Sequence, residues 1–373
     1  MSDAAWMRQA VLMAERGLGT TAPNPSVGAV LVKDGVLLAR ATTQAGGRPH
    51  AETVALAAAG EAARGATLYV TLEPCSHHGK TPPCAEAVIA AGVARVVVGI
   101  EDPDPRVAGR GLAMLRASGI EVVLGVEAKT CRWVTLGHVL RVTERRPFVQ
   151  IKMALMGDLT VPFSSGGKPR FVTGPEARAA GHLLRAQSDA ILVGAGTVRD
   201  DDPELTCRLP GLEHRSPIRV VLDGALDDLT PTTKLARSAR DVPVWAITSP
   251  KAPHKNRAAL ENLGVKVLVL DSANERPNLT LAVKKMADEG ITRLMVEGGR
   301  TVWETFAGRG LLDEAVIFVQ WSEHSARDHG AGSFDEPLTF ERFTRFHGAP
   351  AMTVVDNGII GSDRFVCFQR TNF

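Results

Sequence analysis

The stretch YVTLEPCSHHGKTPPC, Tyr69 to Cys84, decides how the first half of the chain folds. It packs two cysteines, two histidines and three prolines into sixteen residues. It also overlaps an apolar run, ATLYVTL, that reads as a buried strand. The cysteines are five, scattered over Cys75, Cys84, Cys131, Cys207 and Cys367. An odd, scattered set is a poor disulfide framework and suits a reducing cytoplasm. Cys75 and Cys84 therefore read as metal ligands at a strand-to-helix connection.

A third ligand lies upstream. PHAE, Pro49 to Glu52, opens the alanine-rich helical stretch AETVALAAAGEAA. Catalytic zinc takes three protein ligands and leaves one position open, a set that His50, Cys75 and Cys84 would supply. H-x-E followed by P-C and a later cysteine is the signature of zinc deaminases. There the metal makes hydroxide available near neutral pH, and Glu52 would carry a proton from water to the ring and the leaving amine. Two residues apart on a helix, His50 and Glu52 would point about 200° away from each other. Their convergence needs a first-turn position with the metal off the helix N-terminus. The alternatives are a closed zinc site with His77 or His78 as fourth ligand, or a metal-free loop.

Working outward, VGAVLVKDGVLLARA (Val27 to Ala41) reads as a hairpin turning at Lys33-Asp34-Gly35. CAEAVIAAG is a helix ended by Gly92, and VARVVVGI is a strand. GRGLAMLRASG and IEVVLGV add another helix and strand. Strands separated by single helices predict an α/β sheet with parallel members. TERRP, Thr143 to Pro147, breaks the pattern and places a boundary between domains 1–145 and 146–373. Two domains suit 373 residues.

The second part starts with the strand FVQIKMALM and the irregular GDLTVPFSSGGKPR. The helix PEARAAGHLLRAQ and the strand DAILVGAG follow. IRVVLDG, VPVWAIT, VKVLVL and RLMVEGG are apolar runs suited to a central sheet. AVIFVQW and RFVCFQR read as antiparallel strands closing it. Two strand-to-glycine turns, DAILVGAGTVRDDDPELTCR and RLMVEGGRTVWETF, suggest a nucleotide site at the carboxyl ends of the strands. Their spacing is not the Rossmann G-x-G-x-x-G.

Forty-three basic and forty-one acidic residues nearly cancel, to +2, which argues against a nucleic-acid footprint. No run approaches eighteen apolar residues, so no membrane span is expected. The N-terminus lacks signal-peptide features.

APNPSVGAVLV, GGRPHAE, TLEPCSHHGKTPPC and GIEDPDPRVAGRG together resemble the bifunctional deaminase/reductase family of riboflavin biosynthesis. The eight-residue gap between the cysteines, rather than P-C-x-x-C, separates this group from nucleoside and tRNA deaminases. The resemblance implies a cytidine-deaminase-like α/β/α sheet followed by a dihydrofolate-reductase-like α/β domain. It implies zinc on His50, Cys75 and Cys84, and Glu52 as proton shuttle. Asn24, Lys80 and Thr81 would meet a phosphoribosylated pyrimidine.

LLRAQSDAILVGAGTVRDDDPELTCR and SPIRVVLDG resemble the reductase half, which uses NADPH. By that likeness, Ala154, Thr173, Thr197, Asp201, Gly298, Gly299, Arg300 and Thr301 lie along the cofactor. Arg185, Leu205, Arg208 and Glu297 contact the substrate, the arginines nearest its phosphate. A homo-oligomer is also implied. Thr43 stands where relatives often carry histidine. Met156 to Leu159, Pro169 to Phe171 and WSEHSARDHGAG depart from the family pattern. Those departures keep a second reading open, in which only the deaminase works and the C-terminal domain serves oligomerisation or ligand sensing.

Overall fold

The alternation of buried strand and helix in the first part becomes a five-stranded sheet with helices on both faces. The computed structural model describes residues 1–78, 82–160, 172–271, 277–320, 338–344 and 348–371. They fall into two compact units, Met1–Pro147 with Ala287–Thr292, and Phe148–Met286 with Arg293–Phe373. The short segment Ala287–Thr292 groups with the first unit, which no single linear boundary can express.

The first unit contains α1 (Asp3–Gly17), β1 (Gly28–Lys33), β2 (Val36–Thr42), α2 (Ala51–Ala59) and β3 (Thr67–Leu72). It continues with α3 (Cys84–Ala90), β4 (Arg95–Ile100), α4 (Arg110–Ala117), β5 (Glu121–Leu124), α5 (Ala128–Val134) and α6 (Leu136–Thr143). The strand order is β2-β1-β3-β4-β5. β1 pairs antiparallel with β2 and β3, and β3, β4 and β5 run parallel. The β1–β2 turn has both Asp34 (φ 52°) and Gly35 (φ 76°) in the left-handed region. That matches the twist of the flanking strands.

Alternate residues of each strand serve opposite faces. Ala29, Leu31, Leu68, Val70, Val96 and Val98 pack under Ala55, Val88 and Leu112 of α2, α3 and α4. Val30, Val32, Tyr69 and Val97 pack against Trp6, Met7 and Val11 of α1 and Cys131 of α5. With both faces covered, the strands read as continuous apolar runs. Each fully buried valine or leucine contributes about 1.5–3 kcal/mol.

The second unit is built on a nine-stranded sheet, order β10-β9-β8-β7-β11-β6-β12-β14-β13. Its elements are β6 (Phe148–Leu155), α7 (Pro175–Ala186), β7 (Ala190–Gly194), α8 (Ala195–Asp201), β8 (Ile218–Leu222), α9 (Lys234–Arg237), β9 (Val244–Thr248) and α10 (His254–Asn262). Then come β10 (Lys266–Val269), α11 (Leu279–Asp288), β11 (Arg293–Val296), α12 (Arg300–Gly308), β12 (Glu314–Val319), β13 (Met352–Ile360) and β14 (Asp363–Arg370). Seven strands, from β10 across to β12, are parallel. β11 inserts between β6 and β7, so the strand order reverses there and leaves a crevice at their carboxyl ends.

One strand departs from the sequence expectation, and two further elements are not announced by their local sequence. AVIFVQW, expected antiparallel, pairs parallel with β6 and antiparallel only with β14, because α12 crosses over from β11. The acidic tail after DAILVG forms α8, pinned by buried Val198 and ended by Asp202 in the left-handed region. β13 contains Asp356-Asn357-Gly358, which reads as a turn. The strand passes through it with a register shift between Val354 and Asp356, and the chain turns at Gly361 instead.

Candidate functional site

His50 is the N-cap of α2, with extended dihedrals (φ −70°, ψ 158°). It is therefore not subject to the helical period that separates it from Glu52. Its Nδ1 lies 3.2 Å from Cys84 Sγ and 3.7 Å from Cys75 Sγ. Cys84 is the first residue of α3; its backbone N–H donates to Cys75 Sγ (3.3 Å), and the Ala85 N–H donates to the Cys75 carbonyl (3.1 Å). The starts of α2 and α3 thus converge, and the Cys84 N–H favours a thiolate at Cys75.

The ligand atoms of His50, Cys75 and Cys84 all lie within 4.8 Å of one another, the only such group among the described residues. Ordinary zinc–sulfur and zinc–nitrogen bonds in a tetrahedron set an N···S separation of about 3.6 Å. The observed distances bracket that value, and three soft donors leave a fourth position open. The charge distribution agrees. A hydrogen bond from Cys84 holds the Cys75 thiol down at about 4, and the Cys75 thiolate in turn raises His50. Cys84 is pushed up by sharing its proton with Cys75 and by burial.

Glu52 sits in the first turn of α2 and is 3% exposed. Burial pushes its carboxyl up to about 7, against the pull of His50. Its side chain also meets Cys84. A buried carboxyl titrating there can both accept and return a proton. His77 and His78 are exposed, and His78 pairs with Glu86 (3.1 Å), so neither completes a closed site. Asn24 is oriented by its Nδ2 donating to the Gly47 carbonyl (2.7 Å). Lys80 and Thr81 lie outside the described residues. Thr43 is buried and accepts from the Val27 N–H (3.1 Å).

In the second unit, a cleft of about 1150 Å3 opens at the carboxyl ends of β6, β7, β8 and β11. Ala154, Thr197, Asp201, Glu297, Gly298, Gly299, Arg300 and Thr301 line it. Thr173, Arg185, Leu205 and Arg208 do not. Thr173 is buried, and its carbonyl accepts from Arg178 (2.6 Å). Leu205 is buried in the core around β7 and β8, at φ 57°, so its side chain is committed to packing. Arg208 pairs with Glu204 (3.3 Å).

Arg185, expected near a phosphate, is paired with Glu297. Its Nε and one terminal nitrogen donate to the two carboxylate oxygens (2.7 and 2.9 Å), and the other reaches the Thr206 carbonyl (2.9 Å). Burial alone would raise Glu297, but Arg185 and Lys152 outweigh it and hold the carboxyl at about 2. Glu297 is thus a fixed anion at the cleft floor.

Lys152 and His182 escaped sequence reasoning. Lys152 is the single charged residue in FVQIKMALM, which was the available signal. His182 sits one helical turn before Arg185, and its Nδ1 accepts from the Arg208 N–H (3.3 Å). Burial, then Arg185 and Arg208, push it down to about 4, so the ring is neutral. The segment leading to Arg208 is tied at further points. Buried Arg219 donates to the Glu204 carbonyl (3.2 Å), and Ser216 accepts from the Cys207 N–H (3.0 Å).

Of the sequence departures, Met156 to Leu159 forms a tight turn that sets Leu159 and Thr160 on the cleft wall. Pro169 to Phe171 and the WSEHSARDHGAG segment lie outside the described residues.

Residues 1–100 match the cytidine and deoxycytidylate deaminase zinc-binding region, and residues 148–320 match the RibD C-terminal domain. The chain is 39% identical over 317 residues to riboflavin biosynthesis protein RibD of Aquifex aeolicus, covering 85% of this chain and 86% of that one. It is 38% identical over 339 residues to RibD of Escherichia coli, covering 86% and 88%. The RibD structure from Acinetobacter baumannii superposes with a TM-score of 0.81 at 33% identity, covering 99% of both chains. The Thermotoga maritima diaminohydroxyphosphoribosylaminopyrimidine deaminase/5-amino-6-(5-phosphoribosylamino)uracil reductase gives 0.80 at 32% identity, covering 99% and 98%.

Proposed function

The chain belongs to the RibD family of bifunctional deaminase/reductases of riboflavin biosynthesis, and we propose that its halves act in turn on one phosphoribosylated pyrimidine. Residues 1–145 remove the 2-amino group of 2,5-diamino-6-(5-phosphoribosylamino)pyrimidin-4-one. Residues 146–373 then reduce the opened ribosyl chain to ribityl. The observation that carries this reading is the meeting of His50, Cys75 and Cys84 beside buried Glu52.

His50, Cys75 and Cys84 hold zinc, which when bound makes water nucleophilic near neutral pH. Glu52 takes the proton released as water adds to the carbon bearing the amine, and passes it to the ring nitrogen. A second proton, moved by the same carboxyl, leaves with ammonia. Asn24, fixed by Gly47, presents its amide to the pyrimidine, and Lys80 and Thr81 serve the ribose phosphate.

In the second unit, NADPH when bound supplies the hydride. Backbone N–H groups at the start of α12, from Gly299 onward, would meet its phosphates, with the cleft residues Ala154, Thr197 and Asp201 along its length. Glu297 anchors the ribosyl hydroxyls, and Arg185 acts chiefly by orienting Glu297. Leu205 offers its backbone, and Arg208 the charge for the substrate phosphate. The exposed face of edge strand β13, with Val355 and Ile359 49% and 73% exposed, supports a homo-oligomer. Five unpaired cysteines support a cytoplasmic setting.

Gly298 tests the cofactor assignment. It sits at φ 118°, and a Cβ there would stand 2.7 Å from Thr197 Oγ1. Relief of that clash and of about 1–3 kcal/mol of backbone strain would shift the turn away from its cofactor-binding geometry, so Gly298→Ala is expected to lower NADPH affinity roughly ten- to a hundredfold, with ammonia release unchanged. The whole reading is tested by supplying the deaminated aminouracil ribosyl phosphate and following NADPH oxidation. Turnover makes both halves catalysts. Ammonia release from the diamino precursor without NADPH oxidation would leave a deaminase carrying a non-catalytic second domain.

A further inference from the structure

We propose that Glu73 is a positioning residue for the metal centre, holding the backbone that presents Cys75 against the start of α4. The inference rests on the assignment of Cys75 as a zinc ligand.

Glu73 follows the last residue of β3 and is 3% exposed. Its own N–H donates to the Ile100 carbonyl (3.0 Å), continuing the β3–β4 pairing by one residue. Its carboxylate accepts from four backbone N–H groups. Oε1 takes Gly111 (2.9 Å) and Leu112 (3.2 Å) in the first turn of α4, and Oε2 takes Gly109 (3.0 Å) and Asp102 (3.2 Å). One side chain thereby satisfies the open donors of a helix start and ties them to the residue two before Cys75.

A second, steric observation bears on the same two residues. A Cβ at Gly111 would stand 2.1 Å from the Pro74 carbonyl oxygen. α4 and the Pro74–Cys75 backbone approach as closely as they do only because position 111 has no side chain. On its far side, Cys75 is gripped by the N–H groups of Cys84 and Ala85. The Cys75 loop is therefore clamped between α4, through Glu73, and α3 directly.

All four partners of the carboxylate are donors, so an amide cannot replace it. Gln would turn its NH2 group toward two N–H groups. Residues that orient metal ligands typically contribute about 10- to 100-fold to metal affinity, and that range is the expectation for Glu73→Gln. Gly111→Ala, which attacks the same clamp from the other side, should weaken zinc in the same direction.

The test is zinc affinity, measured by competition against a chromophoric chelator on the full-length protein, for wild type, E73Q, G111A and C75S. Ammonia release at limiting and saturating zinc is followed alongside. The proposal expects weakened zinc in E73Q and G111A and recovery of ammonia release as zinc is raised. NADPH oxidation on the deaminated substrate should be unaffected, reporting an intact second unit. Unchanged zinc affinity in E73Q overturns the proposal. So does loss of ammonia release that saturating zinc leaves unrepaired, which would make Glu73 part of the fold alone. Full zinc affinity in C75S would instead overturn the ligand assignment, and the inference with it.

Discussion

Replacing Glu52 by glutamine is expected to lower ammonia release by between about 10² and 10⁴, the usual contribution of a positioned acid–base group. The substitution keeps size and shape, so His50 remains the N-cap of α2 and zinc should stay bound. What disappears is a carboxyl that burial has pushed up to about 7 and that can therefore both take and return a proton. NADPH oxidation with the deaminated substrate should not change, because the second unit carries its own site. Parallel assays of zinc content, ammonia and NADPH would separate the three effects. An E52Q enzyme that still releases ammonia within tenfold of wild type would remove Glu52 from the mechanism.

The second large effect is expected at Arg185. Both it and Glu297 are only 13% exposed at the side chain, and they meet through two nitrogen–oxygen contacts. Removing one member of a buried pair leaves an uncompensated charge and typically costs about 3–5 kcal/mol. Arg185→Ala should therefore destabilise the second unit by that amount in urea unfolding at pH 7, and abolish NADPH oxidation.

The response to pH should change sign as well. In the wild type, Glu297 is held at about 2, below its ordinary value of 4.5. Its contribution to stability is present above 4.5 and is lost as pH falls toward 2. Without Arg185, burial becomes the dominant influence and raises the carboxyl, so acidification from neutral pH should now stabilise the variant. Adding Glu297→Gln should recover much of the lost stability without restoring reduction. An R185A protein as stable as wild type at pH 7 would mean that the pair does not hold the cleft floor.

How legible each half was from sequence differs for physical reasons. Strand alternation in residues 27–124 is written by two covered sheet faces, so the apolar runs and the glycine stops Gly35 and Gly92 mark the elements closely. The cluster of His50, Cys75 and Cys84 was legible because few residue types suit zinc, and the structure brings those three side chains together. Glu73 was not. Its role comes from backbone N–H groups of Asp102, Gly109, Gly111 and Leu112, 29 to 39 residues away. Backbone donors carry no residue-type signature.

In the second unit, β13 was hidden because Asp356-Asn357-Gly358 is a local turn signal that sheet pairing overrode. Arg185 was expected beside the substrate phosphate, and its pairing was not foreseen because nothing in the local sequence announces Glu297, 112 residues downstream.

The sequence by itself determined the alternating architecture, the zinc-binding residue types and the family. Those depend on short-range periodicity and on chemistry that only certain side chains possess. Tertiary structure alone decided that His50 and Glu52 face one point, that Arg185 serves Glu297, and that Glu73 bolts the Cys75 loop to α4. Each of those depends on where separate segments meet, and the energy of meeting is shared between residues that are not neighbours in the chain.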